Sequence, residues 1–362
     1  MISQCVPNIN YEDILKRFQA YLTPENNPFL SEYTETVKFE QEIAKVLKVK
    51  HAICVNNGTI SLSLGLTALG IKAGDKVAVP AISQIATANA VTFIGAKVVF
   101  IDCDPVNGLM DADSLKATLL KHDIKAILYV TFNGRSDTLE QIQTYQKATK
   151  IPILIDAAQA FCSLYANKEI TNTAKQGISS YSLSFSKIIT TGQGGILTTD
   201  DDKLADTIVK LKDFGRSTGG MDYHDYFGIN SKFSDLQAIV GLSQISTIKE
   251  RIKAKKDMYK LYYKDLSFCM EELKDGETPW FIQVKIDKER KEAFMKYLTD
   301  AGIQVRDMYM PMPYQKVYGK KKGYPQAQKF SDSYIWIPSS LTLKQSDIAY
   351  ISKTIKEYHK YE

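Results

Sequence analysis

The chain has 362 residues, of which 44% are hydrophobic and 24% charged, with a formal net charge of +5. That length exceeds one ordinary domain, and that balance excludes a disordered or fibrous chain. The modest positive charge admits an anionic substrate without marking a nucleic-acid protein, and no apolar run reaches the ~20 residues that span a bilayer.

In chain order, Met1 to Asn8 has neither the basic start nor the apolar core of a signal peptide, so a cytoplasmic protein is expected. Residues 1–50 show no helix-turn-helix pattern with a basic second helix, which argues against a DNA-binding regulator. His51 to Val55 predicts a strand, and Thr59 to Leu69 a helix with Leu62, Leu66 and Leu69 at helical spacing. A turn at Ala73 to Asp75 leads to a strand over Lys76 to Val79 and a helix over Thr87 to Ile94. Next come a strand over Lys97 to Ile101 and a helix over Asp113 to Lys121. Ile124 to Val130 predicts a buried strand, Thr138 to Lys150 a helix, and Ile151 to Ile155 a strand ending directly in Asp156. Two more strands are expected around Ser179 to Leu183 and Gly195 to Thr199. Helices are expected over Leu204 to Phe214 and through Leu236 to Ile245.

A long charged helix, Ile248 to Leu266, then carries the chain into a second lobe. That lobe has a half-buried strand, Trp280 to Ile286, and helices over Glu289 to Ala301 and Gln345 to Tyr358. Strands alternating with helices predict an α/β fold with a mostly parallel sheet flanked by helices. We expect an N-terminal arm and large domain over residues 1–247 and a smaller α+β domain over residues 248–362. Ligands of such sheets lie at the carboxyl ends of the strands, which is where Asp156 falls.

Five scattered cysteines without a Cys-x-x-Cys pair read as reduced thiols. His51, His122, His224 and His359 do not fall at ligand spacing, so no metal site is expected. The runs Lys249 to Lys256 and Lys320 to Lys322 read as solvated surface, the second with an alternative role beside a substrate diphosphate.

Four short segments carry chemistry. Asn56-Asn57-Gly58-Thr59 lies between a strand and a helix, and a helix N-terminus suits a phosphate; the same residues also make an ordinary cap. Asp156-Ala157-Ala158-Gln159 places a carboxylate where it can cap a helix or pair with a cationic ring nitrogen. Tyr181 to Lys187 sets a lysine behind an apolar strand among small hydroxyl residues, and a partly neutral lysine amine forms Schiff bases with aldehydes. Gly192-Gln193-Gly194-Gly195 makes a tight turn that lets backbone pass close to a ligand.

In this order and spacing, the segments resemble the DegT/StrS-type sugar aminotransferases, pyridoxal-phosphate (PLP) enzymes of the aspartate-aminotransferase fold, fold type I. The resemblance runs from about Asn56 to Ala238, and more weakly through Gly302 to Arg306 and Pro338. It implies that Lys187 forms the Schiff base with PLP, that Asp156 pairs with the ring nitrogen and that Gln159 contacts the ring hydroxyl oxygen. It places Gly58, Thr59, Ile60 and Ser182 at the cofactor phosphate, and Arg306 toward the substrate. Gly228 to Lys232 matches a segment whose asparagine, here Asn230, reaches the phosphate of a neighbouring subunit, so a homodimer with shared sites is implied. Two positions depart from the family: Gln84 stands where an aromatic usually stacks on the cofactor ring, and Pro313 where a histidine is common.

The implied activity is transfer of an amino group from L-glutamate to a nucleotide-linked keto-6-deoxy sugar, through a pyridoxamine phosphate form. The Gly302 to Arg306 segment favours carbon C4. A C3-directed or aminocyclitol aminotransferase shares the cofactor motifs. A sugar dehydratase of this fold has histidine at the lysine position, and Lys187 argues against it.

Overall fold

The computed structural model describes residues 1–26, 30–165, 168–169 and 177–360. Two helices precede the first strand. Asn10 caps α1 (Tyr11–Tyr21), its Oδ1 accepting from the Asp13 N–H at 3.1 Å. Helix α2 (Thr34–Leu47) buries Phe39, Ile43 and Leu47, spaced four apart on one face. Its N-terminal N–H groups are satisfied by a residue distant in sequence. Asp235 accepts from the N–H groups of Tyr33 (2.9 Å), Glu35 (3.1 Å) and Thr36 (2.9 Å), and from the Tyr21 hydroxyl (2.9 Å). Burial raises the pKa of this carboxylate, but the donors outweigh it and hold the value below the usual range.

The chain then alternates β1 (His51–Val55), α3 (Gly58–Ala68), β2 (Lys76–Pro80), α4 (Ala86–Phe93), β3 (Lys97–Ile101), α5 (Ala112–Lys121), β4 (Ile124–Val130), α6 (Leu139–Thr149) and β5 (Ile153–Asp156). A small ribbon, β6 (Leu164–Tyr165) and β7 (Lys168–Glu169), precedes β8 (Ile178–Ser182) and β9 (Gly195–Thr199). Seven strands form one sheet in the order β1-β9-β8-β5-β4-β2-β3. Six run in one direction and β9 runs opposite, antiparallel to both β8 and β1. Helix α3 is more deeply placed than a one-faced apolar stripe implies: Ser61 through Leu66 are all buried. At Gly65 it lies so close to the sheet that an added Cβ would stand 2.9 Å from Leu154.

Helices α7 (Asp202–Lys212), α8 (Asp235–Ile245) and the long α9 (Ile248–Leu266) follow. A second sheet, β10-β12-β11, is antiparallel throughout and comprises β10 (Ile282–Lys285), β11 (Arg306–Asp307) and β12 (Tyr334–Ile337). Helices α10 (Lys291–Asp300), α11 (Pro325–Ser333) and α12 (Gln345–Lys360) complete the chain. Alternation along β12 joins two cores. Tyr334 and Trp336 enter the core of the seven-stranded sheet, while Ile335 and Ile337 enter a second core with Ile282, Val284 and Ile351. Among the described residues, no helix is long and apolar enough to cross a membrane.

Candidate active site

The six co-directional strands end, and β9 begins, at one rim of the sheet, and a cavity of about 680 Å³ opens there. At one end of it Asn57 caps α3. Its Oδ1 accepts from the Ile60 N–H at 2.9 Å, and its carbonyl accepts from the Ser61 N–H at 3.1 Å. Ile60 lines the cavity, but its N–H is thereby engaged. The N–H groups of Gly58 and Thr59 donate to no described residue, and both residues line the cavity with Ser182. Two unpaired donors at the positive end of a helix, with a hydroxyl beside them, make an anion cradle. The glycine turn supports this corner from behind. An added Cβ at Gly195 would meet the Asn57 carbonyl oxygen at 2.4 Å, so this glycine makes room for the helix cap, and only Gln193 of the turn lines the cavity.

Deeper in the cavity lies Asp156, 4% exposed. Thr87 donates its hydroxyl to Oδ2 at 2.8 Å, and the Ala158 N–H donates to Oδ1 at 3.1 Å. Burial raises the Asp156 pKa; Thr87, the Ala158 N–H and Lys187 only partly offset it. Lys187 moves the other way. Burial lowers its pKa from 10.5 to about 7, against the attraction of Asp156 and Cys5 and with the repulsion of Arg306. Its Nζ stands 3.7 Å from the centroid of the Trp280 ring, whose indole N–H donates to the Ser186 carbonyl at 2.9 Å.

Gln159 is 5% exposed, and its Oε1 accepts from the Asn133 N–H at 2.8 Å. An N–H can only be met by the amide oxygen, so the Gln159 NH₂ is left as a donor. Gln84 lines the cavity with its amide oxygen turned back to the Ala86 N–H at the start of α4. Arg306 lies at the exposed rim, 5.5 and 5.4 Å from the ring centroids of Tyr309 and Trp336. Asn230 lies outside the cavity on the exposed surface of this chain. The basic run Lys320 to Lys322 is exposed and does not line the cavity.

Sequence reasoning gave no site role to Thr87, Trp280 or Tyr309, which all line the cavity. Tyr309 carried a usable signal, standing three residues after Arg306 beyond a short strand. Thr87 carried none, because its partner is 69 positions away.

These residues fit pyridoxal phosphate. The α3 cradle matches a phosphate, and Gln159 offers a donor to a ring oxygen. Asp156 is a buried carboxylate whose raised pKa a cationic ring nitrogen would offset. Lys187 supplies an amine kept partly neutral near pH 7. The fold and site together define a PLP-dependent enzyme.

The family model described as the DegT/DnrJ/EryC1/StrS aminotransferase family matches residues 11–356. The chain is 28% identical over 358 residues to GDP-perosamine synthase of Escherichia coli O157:H7, covering 94% of this chain and 98% of that protein. It is 28% identical to UDP-4-amino-4,6-dideoxy-N-acetyl-beta-L-altrosamine transaminase of Campylobacter jejuni subsp. jejuni serotype O:2, covering 88% of each. The crystal structure of the aminotransferase TlmJ from Streptoalloteichus hindustanus aligns with a TM-score of 0.92 at 25% identity, over 100% of this chain and 99% of that one. A Streptococcus pneumoniae protein, Spr1654, solved in its PMP form, shares the fold with a TM-score of 0.90 at 20% identity, over 100% of both chains. The chain belongs to the DegT/DnrJ/EryC1/StrS aminotransferase family and is a PLP-dependent aminotransferase.

Proposed function

We propose that this enzyme transfers an amino group from L-glutamate to C4 of a nucleotide-linked 4-keto-6-deoxyhexose. The observation that carries the reading is the meeting of Lys187, Asp156, Gln159 and the α3 N-terminus in one cavity. Its volume of about 680 Å³ is within the usual range of small-molecule sites. The relatives named for GDP-linked and UDP-linked sugars support the substrate class.

When bound, pyridoxal phosphate supplies an aldehyde that captures amines and a ring that withdraws electrons from the reacting carbon. The protein's groups then divide the work. The Gly58 and Thr59 N–H groups and the Ser182 hydroxyl hold the phosphate. Asp156 keeps a proton on the ring nitrogen, and the Gln159 NH₂ donates to the ring oxygen. Lys187 Nζ would take the α-proton from the amino donor and return it one carbon away in the first half, and carry a proton the opposite way, onto the former ketone carbon, in the second. The Trp280 ring face steadies the ammonium that Lys187 becomes between those transfers. Arg306 offers a fixed cation to an anionic substrate group at the rim.

The same reading includes a homodimer, with residues 1–247 as the cofactor-binding lobe and 248–362 as the smaller lobe. Met221, Tyr223, Tyr226 and Phe227 are exposed in the segment before Asn230, and a second copy would cover them and carry Asn230 toward its phosphate.

Spectra of the wild type and Lys187→Ala with PLP, before and after L-glutamate, test the chemistry. Glutamate is expected to bleach the wild-type visible band, and Lys187→Ala to lose about 10²-fold to 10⁴-fold or more in turnover. A variant retaining most turnover would overturn the Lys187 assignment. Product analysis with 4-keto and 3-keto nucleotide sugars tests the carbon, and a preference for the 3-keto substrate would overturn C4.

A further inference from the structure

Asn133 follows β4 in a turn with φ 52° and ψ 31°, and is 2% exposed. Asparagine tolerates this left-handed conformation better than most residues. Its polar contacts lead in two directions. Its backbone N–H donates to Gln159 Oε1 at 2.8 Å. Its side chain grips the backbone of one residue entering β10: the Phe281 N–H donates to Oδ1, and Nδ2 donates to the Phe281 carbonyl, both at 2.8 Å, with a longer contact of 3.4 Å from Nδ2 to Gln283 Oε1. Gly134 brings the same turn so close that an added Cβ would lie 2.0 Å from the Thr278 carbonyl oxygen, and its φ is +85°.

The gripped segment carries Trp280, whose ring lies against Lys187 Nζ. A side chain bonded at both amide atoms cannot rotate without breaking two buried hydrogen bonds, so its neighbours inherit its position. Two residues that hold opposite ends of the chemistry, Gln159 and Lys187, are thus referred to one asparagine.

We propose that Asn133 is a positioning residue for this reaction, turning the Gln159 NH₂ toward the cofactor's ring oxygen and holding Trp280 over Lys187. The proposal rests on the reading of Gln159 as the ring-oxygen contact.

The test uses PLP-loaded protein in a Trp336→Phe background, which leaves Trp280 as the sole tryptophan. Asn133→Gly keeps the backbone N–H and the left-handed turn but removes the side-chain grip on Phe281 that fixes where this N–H, and with it the Gln159 amide, is held. Asn133→Asp is the second variant should the first fail to fold; it keeps the acceptor for the Phe281 N–H and loses only the Nδ2 donor. The readouts are the pH midpoint of the cofactor's visible band and the emission maximum of Trp280, both in the PLP-loaded protein.

Loss of a donor to the ring oxygen leaves more charge there and holds the adjacent nitrogen's proton more tightly. Gln159→Ala is therefore expected to raise the midpoint by about one pH unit. Asn133→Gly is expected to raise it in the same direction, with no further rise when combined with Gln159→Ala. It should also red-shift the Trp280 emission, which Gln159→Ala should not. Asn133→Asp is expected to move both readouts the same way by less. A shift in Gln159→Ala with neither readout moved in the Asn133 variants overturns the proposal and leaves the Gln159 role standing. No shift in Gln159→Ala overturns the Gln159 role and the proposal together.

Discussion

Lys187 and Asp156 share a cavity, and burial works on them in opposite chemical senses. It disfavours the ammonium of one and the carboxylate of the other, so each is pushed toward neutrality until a partner arrives. The lysine amine must be unprotonated to attack an aldehyde. Capture of PLP by the apoprotein is therefore expected to be slow below the Lys187 pKa and to rise with pH through a midpoint of about 7. Stopped-flow absorbance across roughly pH 5.5 to 9.5, which brackets that midpoint and stays below the usual lysine value, measures this. A rate still climbing above about pH 9, as for an ordinary lysine, would contradict it. The linkage has the same sign. A lysine whose folded pKa lies below its unfolded value binds fewer protons when native, so it costs stability at low pH, and that cost fades as pH rises from the folded value of about 7 toward the ordinary 10.5.

At the scale of elements, the phosphate end depends on how closely β9 packs behind the α3 cap. Gly195→Ala would force a methyl into the Asn57 carbonyl. The variant is expected to lose about 1–3 kcal/mol in urea unfolding and to bind PLP more weakly. Gly219→Ala, where an added Cβ meets nothing within 4 Å, is the control and should match the wild type in both.

The parts of this architecture legible in the sequence are those whose cause is local. The run Ile151 to Ile155 announces a strand, and its junction with Asp156 places the carboxylate at the sheet's rim. Parts fixed from a distance were not legible. Helix α1 buries only Ile14 and Tyr21, and the N-terminal donors of α2 are met by Asp235, about two hundred positions away. Strand β12 is apolar at every position because each of its faces meets a different core, which erases the alternation that marks a strand. Trp280 and Phe281 read as the start of a strand, yet β10 begins only at Ile282, and Trp280 instead faces Lys187. The cofactor residues stood out because their spacing resembles a family, while Asn133 and Thr87 act through contacts no local pattern encodes.

At the scale of the whole molecule, the surface before Asn230 is the most conspicuous apolar exposure, with Phe227 fully open to solvent. In the homodimer proposed above, that ring lies at the contact between copies. Phe227→Asp is expected to shift the sedimentation mass from twice the chain's 40.7 kDa toward a single chain. A variant that stays dimeric would place the contact elsewhere.

The reversed strand β9 also sets a timetable. Within the seven-stranded sheet β1 pairs with β9 alone, Val55 facing Gly195. Chains emerge from the ribosome N-terminus first, so β1 and the helix it leads into leave the tunnel well before the strand that will pin them. Until Thr199 has followed, the phosphate cradle has no backing and the lysine loop no second anchor. The cradle that would meet PLP is thus complete only once the sheet has gained its own first strand at the edge.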